Sequence, residues 1–93
     1  MSTADIKENI SPIFKEYGIK RAGLFGSFSR GEETSKSDVD ILVKVKRGTS
    51  LFDMIGYERD LEEIVGCKVD LITYNQIHPL LKKQILNDEV SLV

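Results

Sequence analysis

From Asp38 to Lys46 the chain alternates without a break: Val39, Ile41, Val43 and Val45 fall on one parity, Asp38, Asp40, Leu42 and Lys44 on the other. Successive side chains of a strand point to opposite faces of a sheet, so this period of two predicts a strand with one buried face. Aspartate is depleted in strands. Yet Asp40 stands inside Asp38-Val39-Asp40-Ile41-Leu42-Val43, and Asp70 stands inside Val69-Asp70-Leu71-Ile72. Two predicted strands thus carry a carboxylate where packing alone selects Val or Thr. A local rule broken without local compensation marks a functional site.

The remaining segments alternate helix and strand around these two. Ile6, Ile10, Ile13, Phe14 and Tyr17 recur at helical spacing and predict a helix from about Thr3 to Tyr17, capped by Ser2 or Thr3 and stopped by Gly18. Pro12 falls inside it and normally breaks a helix. The apolar phase continues across Pro12, which predicts one kinked helix. Lys20 to Phe25 reads as a short buried strand, Gly26 to Gly31 as a turn opening a one-turn helix, and Glu32 to Ser37 as a polar loop. Ser50 caps the next helix with Asp53 in its first turn; its apolar stripe is Leu51, Met54/Ile55, Leu61 and Ile64/Val65, and Gly66 ends it. Lys68 to Thr73 is a further strand, Pro79 to about Asn87 a last amphipathic helix, and Val90 to Val93 an edge strand or tail.

Composition narrows the function. A chain of 93 residues that is 41% hydrophobic and 30% charged is a single globular domain, residues 1–93. Its longest apolar run is three residues, Ile41-Leu42-Val43, against the ~20 of a membrane span. Met1 to Asp5 has neither the basic start nor the apolar stretch of a signal peptide, so a soluble cytoplasmic protein with no membrane partner is expected. Thirteen Lys/Arg against 15 Asp/Glu leave a net charge of -2, which disfavours nucleic acid as a direct ligand. Cys67 is the single cysteine and His78 the single histidine. A single cysteine forbids an internal disulfide and cannot by itself build a zinc site.

The chemistry therefore rests on oxygen. Asp38 and Asp40, two residues apart on a strand, share a face about 6.5–7 Å apart. If the Lys68–Thr73 strand lies beside theirs, Asp70 joins them. Three carboxylates without histidine or thiolate suit magnesium or manganese rather than zinc. The turn Gly26-Ser27-Phe28-Ser29-Arg30-Gly31 offers the matching anion site. Gly26 permits close backbone approach to a phosphate, Ser27 supplies a hydroxyl, free N–H groups of the following helix point at the anion, and Arg30 adds a charged donor. It is not a Walker loop, since Glu32 and Glu33 stand where Lys and Ser/Thr are required. Each of these residues has a structural alternative: Asp38 as a strand start, Asp70 paired with Lys68 or Lys44, Ser27 as a helix cap. All three together require independent accidents.

The Gly26–Gly31 turn, the ten residues separating Ser27 from Asp38, and Ser37-Asp38-Val39-Asp40-Ile41-Leu42-Val43 resemble the signature of the DNA polymerase beta-type nucleotidyltransferases. The closer likeness is to the minimal nucleotidyltransferase (MNT-domain) antitoxins. Asp60-Leu61-Glu62-Glu63-Ile64-Val65-Gly66 leading into Val69-Asp70-Leu71, and Leu80 to Leu86, are also similar to that group, so the resemblance spans nearly the whole chain. It implies an α+β nucleotidyltransferase fold, a small mixed β-sheet with helices packed mainly on one side. It implies transfer of AMP from ATP with two magnesium ions, manganese being the substitute, held by the catalytic residues Asp38, Asp40 and Asp70. Gly26, Ser27 and Arg30 are the implied nucleotide-binding residues.

The resemblance further implies a HEPN-type toxin as partner and a tyrosine on it as acceptor. Ninety-three residues leave no segment for an acceptor pocket, in agreement with a protein acceptor. Two other functions stay open at this stage: a non-catalytic module that neutralises its partner by occlusion, and a small-molecule transferase of the aminoglycoside type. Assembly with itself or with another chain is equally open. Cys67, His78, Tyr17, Tyr57, Tyr74 and the Lys44/Lys46/Arg47 group are expected to be structural.

Overall fold

The computed structural model describes residues 3–26 and 38–93. Helix α1 (Thr3–Glu16) runs unbroken across Pro12. An interior proline costs a helix about 3 kcal/mol. Ile6, Ile10 and Phe14 are each fully buried on its inner face, and at about 2 kcal/mol per buried side chain they outweigh that cost. Gly18 takes a left-handed φ of 72°, and the Ile19 amide reaches back to the Phe14 carbonyl at 2.8 Å. That is a glycine-ended helix stop.

Strands β1 (Arg21–Phe25) and β2 (Val39–Lys44) pair antiparallel, with Arg21 opposite Lys44 and Phe25 opposite Asp40. Strand β3 (Val69–Thr73) lies parallel to β2. A parallel neighbour needs a crossover, and helix α2 (Leu51–Val65) supplies it. Ser50 and Asp53 close a reciprocal capping box at its start (2.9 and 3.1 Å), and Gly66 ends it at φ 76°. A single 3-10 turn (Tyr74–Gln76), helix α3 (Lys82–Asp88) and strand β4 (Val90–Ser91) complete the chain. Strand β4 pairs with the free side of β1, giving the order β3-β2-β1-β4. The fold is α+β: three helices and a four-stranded mixed sheet among the described residues.

One face of the sheet carries the core. Val39, Ile41 and Val43 of β2, Ala22 and Leu24 of β1, and Val69 and Leu71 of β3 pack against α1 and α2. The C-terminus is not a loose tail, because Leu92 is fully buried in this core, its amide bonded to the Ala22 carbonyl at 2.9 Å. The opposite face is partly covered. Leu42 lies on it, yet is fully buried. The Glu89 carboxylate occupies the space over Gly23, where a Cβ would come within 2.5 Å of Glu89 Cδ. Glu89 pairs with Arg21 at 3.8 Å and accepts the Tyr74 hydroxyl, and the Arg21 guanidinium sits 4.1 Å over the Tyr74 ring. This clasp holds the C-terminal segment against the sheet.

Two expectations are corrected. The buried stripe of α2 is Leu61 and Val65 with Met54 and Tyr57 partly buried, whereas Leu51, Ile55 and Ile64 are exposed. Positions 54, 57, 61 and 65 form one helical row; Ile55 and Ile64 sit one residue off it, and Leu51 is the first residue of the helix. The last helix starts at Lys82 rather than Pro79. Residues 78–81 form a turn first, in which the Leu81 amide bonds the His78 carbonyl and the Leu80 amide bonds His78 Nδ1. The one-turn helix and polar loop expected over residues 27–37 lie outside the described residues.

Candidate active site

The three aspartates gather at one end of the sheet, on the face away from the core. Asp38 immediately precedes β2 and Asp40 lies within it, one strand repeat apart on the same face. Asp70 of β3 stands directly beside Asp40: the two are partners in the parallel register. Adjacent strands are about 4.8 Å apart, and paired residues of a parallel ladder point the same way. The β2–β3 neighbourhood on which the sequence reading depended is therefore present. Asp38 and Asp70 are exposed and Asp40 is half-buried.

Gly26 closes the group from the β1 side. It follows Phe25, the cross-strand partner of Asp40, and turns with a φ of 73°. A Cβ built there would lie 3.2 Å from Asp40 Cγ and closer still to Oδ2. Only glycine fits both the left-handed turn and the carboxylate beside it. Ser27 and Arg30, the other two expected phosphate contacts, lie outside the described residues.

The donor set suits a hard cation. Every candidate ligand is a carboxylate oxygen. The nearby thiol of Cys67 is pushed up by burial first, then by the charges of Asp38 and Glu62, and a thiol held in its protonated form is a poor ligand. Among the described residues no three His, Cys, Asp or Glu side chains close around a single point. The aspartates share a face and a strand end without forming a finished cage. Among the described residues the structure records no ion pair between Asp70 and either Lys68 or Lys44.

The residues expected to be structural take the following places. Tyr17 stacks on Tyr57 with ring centroids 4.1 Å apart, and its hydroxyl donates to Asp60 at 2.5 Å. Cys67 packs against the core, His78 caps its own turn, and Lys44, Lys46 and Arg47 are exposed. The sequence reading missed Glu58, Glu62 and Gln76, whose side chains accept the backbone amides of Leu71, Val69 and Thr73 along the outer edge of β3. The one available signal was Glu58 and Glu62 at i, i+4 on the flank of the buried stripe.

The chain is 47% identical over its full length, and over the full length of the relative, to a Methanocaldococcus jannaschii protein provisionally named protein adenylyltransferase MJ0435. It is 37% identical to the protein adenylyltransferase MntA of Thermococcus cleftensis, covering 82% of this chain and 77% of that one. The structure superposes with a TM-score of 0.82 on a solved protein provisionally named a minimal nucleotidyltransferase, 29% identical, covering 97% of this chain and 95% of that one. It also shares its fold, with a TM-score of 0.72 at 19% identity over 95% of this chain and 69% of that one, with a chain in a complex of a tri-AMPylated Shewanella oneidensis HEPN toxin and an MNT antitoxin. The family model for the polymerase beta nucleotidyltransferase domain matches residues 8–93, and the chain belongs to that family.

Proposed function

We propose that this nucleotidyltransferase moves AMP from ATP onto a hydroxyl of a protein, a tyrosine of a HEPN-type toxin, and so acts as its antitoxin. The observation that carries the reading is the in-register pair Asp40–Asp70 beside Asp38, with Gly26 turning against the Asp40 carboxylate. The names of the relatives and the HEPN–MNT complex that shares the fold support the same reading.

In this reading Gly26, Ser27 and Arg30 grip the outer phosphates of ATP. Asp38, Asp40 and Asp70 would hold two divalent ions, magnesium or manganese, which supply charge neutralisation at the reacting phosphate and the departing pyrophosphate. Asp70 orients the acceptor hydroxyl and takes its proton. The oxygen bonds to the α-phosphorus as the bond to pyrophosphate breaks. A net charge of -2 favours encounter with a basic, RNA-cleaving partner.

The test is incubation with ATP, magnesium and a HEPN partner, followed by intact mass. AMP increments on the partner, absent with EDTA and absent with Asp40→Asn, are expected. If Asp40→Asn silences the partner equally with no added mass, the protein acts by occlusion. Label appearing on an aminoglycoside and never on protein would make it a small-molecule transferase.

A further inference from the structure

We propose that Glu58 and Glu62 are positioning residues for Asp70: from α2 they hold the outer edge of the strand that carries it. The inference rests on the role given to Asp70 in the proposed function.

Among the described residues strand β3 is the last in the sheet, with β2 as its one strand neighbour. In a parallel pair each strand bonds its neighbour through alternate residues. The Lys68 carbonyl accepts the Val39 amide at 2.9 Å, so Lys68, Asp70 and Ile72 turn their backbones toward β2. Val69, Leu71 and Thr73 turn theirs outward. An exposed edge of this kind frays, slips or recruits another strand. Here each outward amide is taken by a side chain: Val69 by Glu62 Oε2 at 3.0 Å, Leu71 by Glu58 Oε2 at 3.2 Å, and Thr73 by Gln76 Oε1 at 2.8 Å.

The spacing explains why a helix can do this. Residues four apart rise about 6 Å along a helix, and residues two apart rise about 6.6 Å along a strand. Glu62 meets Val69 and Glu58 meets Leu71, so α2 runs antiparallel to β3 with two acceptors in step with two donors. Asp70 lies between the two held amides. Its backbone is fixed on the inner side by β2, in register with Asp40, and on the outer side by the two glutamates. The Asp40–Asp70 spacing is thereby set from both sides of one strand.

The test compares Glu58→Ala/Glu62→Ala, Glu58→Gln/Glu62→Gln and Asp70→Asn in the full chain. Three readouts apply: hydrogen exchange at the Val69 and Leu71 amides, manganese affinity by calorimetry, and kcat against KM for AMP transfer. The alanine pair should expose both amides to exchange, weaken manganese about 10-fold and lower kcat about 10-fold, with KM for ATP within about 3-fold. The glutamine pair keeps an acceptor oxygen at each amide and should recover all three. In an Asp70→Asn background the alanine pair should weaken manganese no further, because both act through one group. Exposed amides with unchanged manganese affinity and kcat would overturn the proposal, as would an equal further loss in the Asp70→Asn background. Should the alanine pair fail to fold, Glu58→Ala alone removes the longer bond and is judged by the same outcomes. Wild-type transfer by Asp70→Asn would sink the reading of Asp70 and the proposal with it; an inactive Asp70→Asn beside fully active glutamate variants would sink the positioning role alone.

Discussion

The two faces of β2 are built from alternate residues of one strand and obey different rules. Val39, Ile41 and Val43 are fully buried against α1 and α2, and any side chain of similar volume and shape serves there. On the other parity stand two carboxylates, Asp38 exposed and Asp40 half-buried. They lie beside a third carboxylate, Asp70, that repels them. A sheet tolerates such a cluster because the hydrophobic face stabilises the strands independently. In the proposed function stability and chemistry are separated by a single residue step, and substitutions at adjacent positions should have opposite signatures.

Asp40→Asn is the largest test on the chemical side. Transfer should fall about 10³-fold or more, about 4 kcal/mol of lost transition-state stabilisation. The melting temperature of the metal-free protein should stay level or rise, because one of three neighbouring carboxylates has lost its charge. A fall of many degrees in thermal melting would show that Asp40 holds the fold instead. Its neighbour Ile41 should behave in the reverse sense. Ile41→Ala opens a cavity in the core and should cost about 2–5 kcal/mol, or about 10–30 °C in melting temperature for a domain of this size. Transfer per folded molecule, measured well below the melt, should be retained.

Gly26 tests whether the separation is complete, since it touches both concerns. Alanine there must adopt a φ of 73° and displace the Asp40 carboxylate. A left-handed alanine costs about 1–2 kcal/mol, visible by denaturant titration, and the moved carboxylate should also depress transfer. Loss of stability with full transfer would mean that Asp40 has freedom to swing away, and the group at the strand end would then be looser than its geometry implies.

How much of this was legible beforehand follows from the range of the interactions. The face of β2 was readable because period two is local and the aspartates violate a local preference. The Ser50–Asp53 box and the Gly66 stop were readable for the same reason. The phase of the α2 stripe was not, because Leu51, Ile55 and Ile64 are as apolar as the residues that are buried, and only the position of the sheet selects among them. The start of α3 was misplaced because Pro79 suits a helix N-terminus as well as a turn, and His78 decides by capping the turn. The seal on β3 lay furthest from reach. It exists only where α2 and β3 meet, and apart from their i, i+4 spacing on the flank of the buried stripe nothing along the chain distinguishes Glu58 and Glu62 from solvated glutamates.

The smallest expected effect compares one tyrosine from each side of the sheet. Tyr17, in the helical layer, is raised above the ordinary tyrosine range by burial, then by its bond to Asp60 and that carboxylate's charge. Tyr74, in the clasp on the other side, is raised by burial and by Glu89, against a smaller opposing pull from Arg21. In both, folding favours the protonated phenol. Unfolded tyrosine titrates near about 10, so below that pH both states hold the proton and the stabilisation is complete. As pH rises past it, the unfolded chain releases a proton that the native state keeps, and stability falls. Melting temperature should therefore be flat toward neutral pH and decline above pH about 10. Tyr17→Phe and Tyr74→Phe should each make that decline shallower while lowering the melting temperature modestly at neutral pH. The Tyr74 variant should also loosen the C-terminal segment, read as faster amide exchange at Val90 and Leu92, because Glu89 loses the hydroxyl that holds it over Gly23. An alkaline slope unchanged in both variants would mean that neither phenol is held by its carboxylate, and that the clasp on the open face rests on Arg21 alone.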